Sequence, residues 1–301
     1  MADYISYCNG EWMPYSKIKI EPGDRGFTIG DVVYDVERTF NGKGFKLEEH
    51  IDRLYRSLKF ARIDAGVSRD EMLRITQDVI KKNEHLRKDV GDFAIMQFVT
   101  RGPGYFAWKS GPATVCVKIS PVDFKLFAPG YTTGMKGAFA RTRALPSDVL
   151  DSKVKHFSRM HFAMAELEAN DTDPGAWPLI LDTDGNLTEG SRYNVFIVTD
   201  GVIRTGGDKN LLQGVSRGTV FELARQLNIP AVSEDLQPYD VYTADEVFFA
   251  STSYCVLPVT SVDRRPVGTG KPGKIVNQLL AAWSEKVGVD IVGQAQDWAK
   301  K

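Results

Sequence analysis

Apolar residues alternate or cluster at Val32 to Phe40, Phe93 to Thr100 and Thr114 to Ile119, the pattern of half-buried or fully buried strands. Between them the period changes. In His50 to Ile63, residues Ile51, Leu54, Tyr55, Leu58 and Ala61 recur at helical spacing, so one face of a helix is apolar. Arg53 and Arg56 fall off that stripe, where an arginine is ordinarily solvated. A second helix is expected after Ser68, whose hydroxyl can cap the N–H groups ahead of Glu71, with Met72, Ile75 and Val79 inward. The stretch Pro121 to Gly130 is bracketed by prolines, has little periodicity and separates two similarly built regions. It predicts a small α/β domain over 1–121, a linker over 122–134 and a larger α+β domain over 135–301. In the larger domain, strands are expected at Met135 to Arg141, Trp177 to Asp182, Asn194 to Thr199 and Glu246 to Ser251. Helices are expected near Phe157 to Ala169, Arg217 to Leu227 and Lys274 to Val287. The expected fold class is α+β, in two domains.

A chain of 301 residues also fits two domains of about 150 residues, and two domains imply a cleft. Lys and Arg number 38 against 39 Asp and Glu, a net charge of -1, which provides no global field for nucleic acid or an anionic membrane. With 43% hydrophobic and 26% charged residues the composition is that of a globular protein. Cys8, Cys116 and Cys255 share no close spacing, which argues against a Cys-rich zinc site or a disulfide framework and predicts free thiols. The start, Met1-Ala2-Asp3-Tyr4, lacks the basic and apolar regions of a signal peptide, and no apolar run approaches the roughly 20 residues of a bilayer span. A cytoplasmic protein is expected.

Gly268-Thr269-Gly270-Lys271-Pro272-Gly273 spells the dinucleotide fingerprint, but it follows polar Asp263-Arg264-Arg265-Pro266 rather than a buried strand. His156 and His161 stand five apart, off the i, i+4 ligand spacing, and no metal site or serine-hydrolase motif is expected. What remains suits an anion. Leu212-Gln213-Gly214-Val215-Ser216-Arg217 is a glycine turn feeding a helix, whose free N–H groups can hold a phosphate; a plain N-cap role for Ser216 is the simpler reading. Ser251-Thr252-Ser253 gathers hydroxyls where an apolar strand ends, and Arg53 could supply a two-pronged positive charge. In Thr188-Glu189-Gly190-Ser191-Arg192-Tyr193-Asn194 an acidic residue and a glycine precede an apolar strand.

Taken in order with Phe45-Lys46-Leu47-Glu48-Glu49-His50-Ile51-Asp52-Arg53-Leu54 and Asp245-Glu246-Val247-Phe248-Phe249-Ala250-Ser251, these segments resemble the class IV aminotransferases. These are pyridoxal-phosphate enzymes of fold type IV, among them D-amino acid and branched-chain aminotransferases and (R)-selective amine transaminases. The resemblance runs from about Tyr4 to Trp283. It implies a D-amino acid aminotransferase-like fold with the active site at the domain interface, pyridoxal 5′-phosphate as cofactor, and a homodimer whose cleft is completed by a loop from the neighbouring subunit. The family's Schiff-base lysine stands just before a helix ending in a Glu-Ala pair; matching that pair to Glu168-Ala169 selects Lys155 over Lys153. By the same resemblance Glu189 faces the pyridine nitrogen, Leu212 lies against the ring, and Arg53, Val215, Ser216, Ser251 and Thr252 hold the phosphate. Tyr34 matches a substrate-side tyrosine.

Where D-amino acid aminotransferases carry an arginine and a histidine for the substrate carboxylate, this chain has Phe106 and Trp108, an aromatic surface suited to a hydrophobic amine or a bulky side chain. Arg101 and Arg192 are the remaining candidates for a keto-acid carboxylate. The expected activity is transfer of an amino group from an amino acid or (R)-type amine to a keto acid or ketone. Three alternatives stand behind it: a branched-chain aminotransferase, a lyase like aminodeoxychorismate lyase, and a cofactor-free binding protein on the same fold.

Overall fold

The computed structural model describes residues 3–301; Met1 and Ala2, from the amino-terminal stretch considered above, lie outside them. The chain divides into two units, one of Met1–Val122 with Val154–Arg159 and one of Asp123–Lys153 with Met160–Lys301.

The first unit contains strands β1 (Ile5–Cys8), β2 (Glu11–Pro14), β3 (Val32–Phe40), β4 (Lys43–Gly44), β5 (Phe93–Thr100) and β6 (Val115–Pro121). They form an antiparallel sheet in the order β2-β1-β6-β5-β3-β4. Its helices are α1 (Arg25–Ile29), α2 (Leu47–Ala61), α3 (Arg69–Asn83) and α4 (Arg87–Val90). The apolar stripe of α2 buries Ile51, Leu54 and Leu58 against a core shared with Met72, Ile75 and Val79 of α3 and Val99, Val117 and Ile119 of the sheet. Full burial of each such side chain contributes about 1.5–3 kcal/mol. Ser68 caps α3 by accepting the Glu71 N–H at 3.2 Å, as expected. The β1–β2 hairpin escaped the hydrophobic pattern; its signal is the Asn9-Gly10 turn, both residues at positive φ.

The expected helix from Phe157 begins at Met160 instead. Residues 154–157 lie beside β3 through one bridge, Val33 to His156: Tyr34 donates its N–H to the Lys155 carbonyl at 2.9 Å and Phe157 donates to the Val32 carbonyl at 3.1 Å. Bonded to a strand edge, this backbone does not coil.

The second unit contains α5 (Gly130–Thr133), β7 (Met135–Phe139), α6 (Met160–Thr172), β8 (Trp177–Leu179), β9 (Asn194–Thr199), β10 (Val202–Thr205) and α7 (Val215–Gln226). Then follow β11 (Ala231–Ser233), α8 (Pro238–Tyr242), β12 (Glu246–Ser251), β13 (Cys255–Val262), β14 (Arg265–Pro266), α9 (Lys274–Val287) and α10 (Ile291–Ala299). The sheet runs β11-β10-β9-β12-β13-β7-β8, with β14 on β13 and parallel pairs at β10/β11, β7/β13 and β7/β8. The Gly268 to Gly273 turn leads into α9, whose first N–H groups are taken: the Glu246 carboxylate accepts from Ile275 and Val276 at 2.9 Å each. That leaves no anion site for a dinucleotide there. Among the described residues no helix is long and apolar enough to cross a membrane.

Candidate active site

In the first unit, the segment before α6 sets Lys155 against β3. The Lys155 Nζ lies 4.8 Å from the centroid of the Tyr34 ring, and the Arg159 guanidinium lies 5.3 Å from the same ring. Phe157 packs on Tyr34 with centroids 4.4 Å apart. Ser57 of α2 accepts the Lys155 N–H at 3.3 Å, so helix and strand both fix this backbone. Lys155 is half-buried, whereas Lys153 is exposed and paired with Asp151 at 3.1 Å.

Arg53 is buried rather than solvated. Its Nε and Nη2 donate to the two Asp35 oxygens at 2.8 and 2.7 Å, and His50 Nδ1 meets Asp35 Oδ1 at 2.7 Å. Periodicity missed this because apolarity alone defined the stripe, whereas an arginine is buried only where a carboxylate such as Asp35 offsets the cost of its desolvation. Burial by itself would raise the Asp35 carboxyl, but the charges of Arg53 and His50 outweigh it and hold Asp35 well below the usual carboxylate range. His50 is held below the usual imidazole value by burial, with Arg53 and Lys155 adding to the effect. Glu37, two residues along β3, is pushed well above the usual range by burial and by the Asp35 charge. Its Oε1 accepts from Gln97 while Oε2 has no hydrogen-bond partner, the position of a neutral acid. Asp35, Glu37 and His50 bring ligand atoms within 4.8 Å of one another, but the positive charge among them is Arg53 itself.

Arg101 is committed elsewhere. It grips both oxygens of Asp31 at 2.7 and 3.2 Å and donates to the carbonyls of Ala61 and Arg62, which closes the C-terminal end of α2. Arg25 also binds Asp31 and reaches the Tyr105 carbonyl, anchoring the loop after β5. On that loop Phe106 and Trp108 stack at 4.4 Å, with Trp108 81% exposed.

In the second unit, Glu189 is buried ahead of β9, its carbonyl accepting from Ile180 at 3.0 Å. The turn that follows is tight: a Cβ at Gly190 would stand 1.9 Å from the Tyr193 ring. The N-cap of α7 is Gly214, with no side-chain cap, and Ser216 sits buried in the first turn, so the expected N-cap role for Ser216 does not hold. The first helical bond runs from Gly218 N–H to the Gly214 carbonyl, leaving the Val215 and Ser216 amides ahead of it with no intrahelical acceptor. Gly214 is required there, because a Cβ would meet Asn194 Oδ1 at 2.3 Å. Asn194 in turn donates to the carbonyl of the buried Leu212 at 2.9 Å, tying β9 to the turn. Ser251 donates to the Arg192 carbonyl at 3.1 Å, and Thr252 occupies the turn between β12 and β13. The Arg192 side chain is 82% exposed, 3.7 Å from Glu166.

An amine on an aromatic platform, a buried arginine, a buried carboxylate and an uncapped glycine-led helix start are thus all present. Residues 32–262 match the family model for amino-transferase class IV. The chain belongs to the class IV aminotransferases. A protein of Methanocaldococcus jannaschii provisionally named a branched-chain amino acid aminotransferase is 32% identical, over 91% of this chain and 93% of its own. The D-alanine aminotransferase of Bacillus licheniformis is 29% identical, over 93% and 95%. Among solved structures, the branched-chain aminotransferase of Thermobaculum terrenum in its PLP form shares the fold at a TM-score of 0.84 and 22% identity, covering 99% of this chain and 97% of that one. As an aminotransferase, the chain needs groups that move a proton at carbon and groups that hold an anionic cofactor, and its buried polar residues are of those kinds. Asp35, His50 and Arg159 were not singled out beforehand as site residues; the available signal was an acidic pair, Asp35 and Glu37, inside an otherwise apolar strand.

Proposed function

We propose that this aminotransferase uses pyridoxal 5′-phosphate, tethered covalently by Lys155. The supporting observation is the half-buried Lys155 amine over the Tyr34 ring, flanked by Arg159, beside an exposed and ion-paired Lys153. The chain's groups fit the cofactor: the uncapped N-terminus of α7 suits a phosphate, and the buried Glu189 carboxylate suits a protonated ring nitrogen. When bound, the cofactor supplies a conjugated ring that accepts electrons from the substrate α-carbon. Lys155 acts first as nucleophile and then carries the proton away from that α-carbon. Glu189 holds a proton at the ring nitrogen, and Leu212 lies against the ring face. The Val215 and Ser216 amides, Ser251, Thr252 and the Asp35-braced Arg53 hold the phosphate.

On the substrate side we assign Tyr34 and Arg159, the guanidinium giving a keto-acid carboxylate its counter-charge. Arg101, already bound to Asp31, ties that carboxylate to the C-terminal end of α2; Phe106, Trp108 and Arg192 remain candidates for side-chain contacts. The donor is a D-amino acid or (R)-type amine; a branched-chain amino acid is the second reading, favoured by the name of the Methanocaldococcus relative. The protein acts as a cytoplasmic homodimer without nucleic acid or membrane partners. Three free thiols suit a reducing compartment, and exposed Phe27, Tyr105 and Trp108 on α1 and the adjoining loop offer an apolar face to a second copy.

Borohydride reduction with pyridoxal phosphate, followed by peptide mapping, is expected to fix the cofactor on Lys155; fixation elsewhere overturns the assignment. Donor panels with both enantiomers of alanine, leucine and an arylalkyl amine decide the substrate class. Sedimentation is expected to give twice the 33.5 kDa chain mass.

A further inference from the structure

Two of the three cysteines, far apart in sequence, face each other across strands. Cys8 on β1 and Cys116 on β6 are directly opposed in an antiparallel pair, and both are buried. Asn9 donates its N–H to the Val115 carbonyl at 2.9 Å, so the ladder bonds belong to the neighbouring pairs and the cysteines meet at a position without them. At such positions Cα atoms stand about 4.5 Å apart, inside the roughly 4.4–6.8 Å that a disulfide spans. Opposition to Cys116 holds the Cys8 thiol below its usual value, while opposition to Cys8 and burial push Cys116 up. The β1–β2 hairpin is the outer edge of its sheet, so its opening can admit a reagent while the rest stays folded. Cys116 opposes Phe98 on β5, and Phe98 opposes Tyr34 on β3, so the pair ends the cross-strand row that carries Tyr34. Cys255, in the second unit, has Ser251 as its strand partner.

We propose that Cys8 and Cys116 are a thiol–disulfide site, closed by a low-molecular-weight disulfide such as oxidised glutathione and reopened by a dithiol. The Cys8 thiolate attacks one sulfur of the oxidant, forming a mixed disulfide and releasing one thiolate. Cys116, deprotonated, then attacks the Cys8 sulfur, expelling the second thiolate. Two cysteine thiols lose two protons and two electrons, and the oxidant takes them up as two thiols.

The test uses the reduced full-length protein, incubated with oxidised glutathione and then alkylated in denaturant. Intact mass is expected to show alkylated thiols falling from three to one, with peptide mapping joining Cys8 to Cys116 and leaving Cys255 alkylated. The Cys116→Ser variant is expected to stop at a glutathione adduct on Cys8, and Cys8→Ser to keep both remaining thiols. Three alkylated thiols in the treated wild type, a bridge through Cys255, or closure only in denaturant overturns the proposal. Thiol counting is independent of transamination, so either conclusion can fail alone.

Discussion

Arg53 of α2 and Asp35 of β3 meet through two parallel hydrogen bonds, at 2.8 and 2.7 Å, with side chains 6% and 0% exposed. Planar fork and carboxylate are matched, and His50 adds a third bond to the same carboxylate. A group proposed to hold phosphate is thereby fixed by the fold.

Removing one member of a buried pair leaves the other uncompensated. Asp35→Asn is expected to cost about 3–5 kcal/mol at pH 7, read from chemical denaturation. Asp35 is depressed from 3.8, so its contribution is complete above that value and is lost as pH falls through the lower folded one. The wild type should weaken below about pH 4, and the variant should lack that part of the acid limb.

Glu37 has the opposite sign. Raised from 4.5, it keeps its proton in the folded protein where the unfolded chain has lost it, so stability falls as pH rises from there toward the folded value. The slope is about 1.4 kcal/mol per pH unit for a single proton. Glu37→Gln is expected to abolish that slope and to be more stable than wild type near neutrality; an unchanged slope would show Glu37 ionised in the folded state.

For catalysis, Lys155→Ala should remove turnover while Lys153→Ala retains it. Glu189→Gln should lower kcat by about 10²–10³ with little change in KM, since the charge matters most where electrons accumulate. Stopped-flow half-reactions with a single donor measure both.

Loss of a charged hydrogen bond is worth about 1.5–3 kcal/mol, or roughly ten- to a hundredfold in affinity. Arg159→Gln is therefore expected to raise KM for a keto acid by that factor and to spare an uncharged ketone. Equal losses for both acceptors would count against a role in carboxylate binding.

At Gly190, a methyl group 1.9 Å from the Tyr193 ring must displace that ring and the turn that carries Glu189. Gly190→Ala is expected to destabilise by about 1–3 kcal/mol, measured by thermal unfolding, and to weaken cofactor binding by equilibrium titration.

Elements with unbroken periodicity were legible from the chain. The strands at Val32–Phe40, Phe93–Thr100 and Glu246–Ser251 and the helix at Lys274–Val287 have the bounds the pattern gives. The segment before α6 was not legible as strand-like, because its backbone partner, β3, lies more than a hundred residues earlier. Arg53 could be placed on the helix, but its burial depends on Asp35, which no spacing links to it.

Residue type and order by themselves determined the family, the two-part α+β plan and the candidate chemistry, because apolar periodicity and short motifs are local properties of the chain. Tertiary structure decided which groups are paired: Arg53 with Asp35, Arg101 with Asp31, Cys8 with Cys116. Burial and electrostatic pairing depend on atoms brought together from distant positions, and only the folded chain fixes those distances.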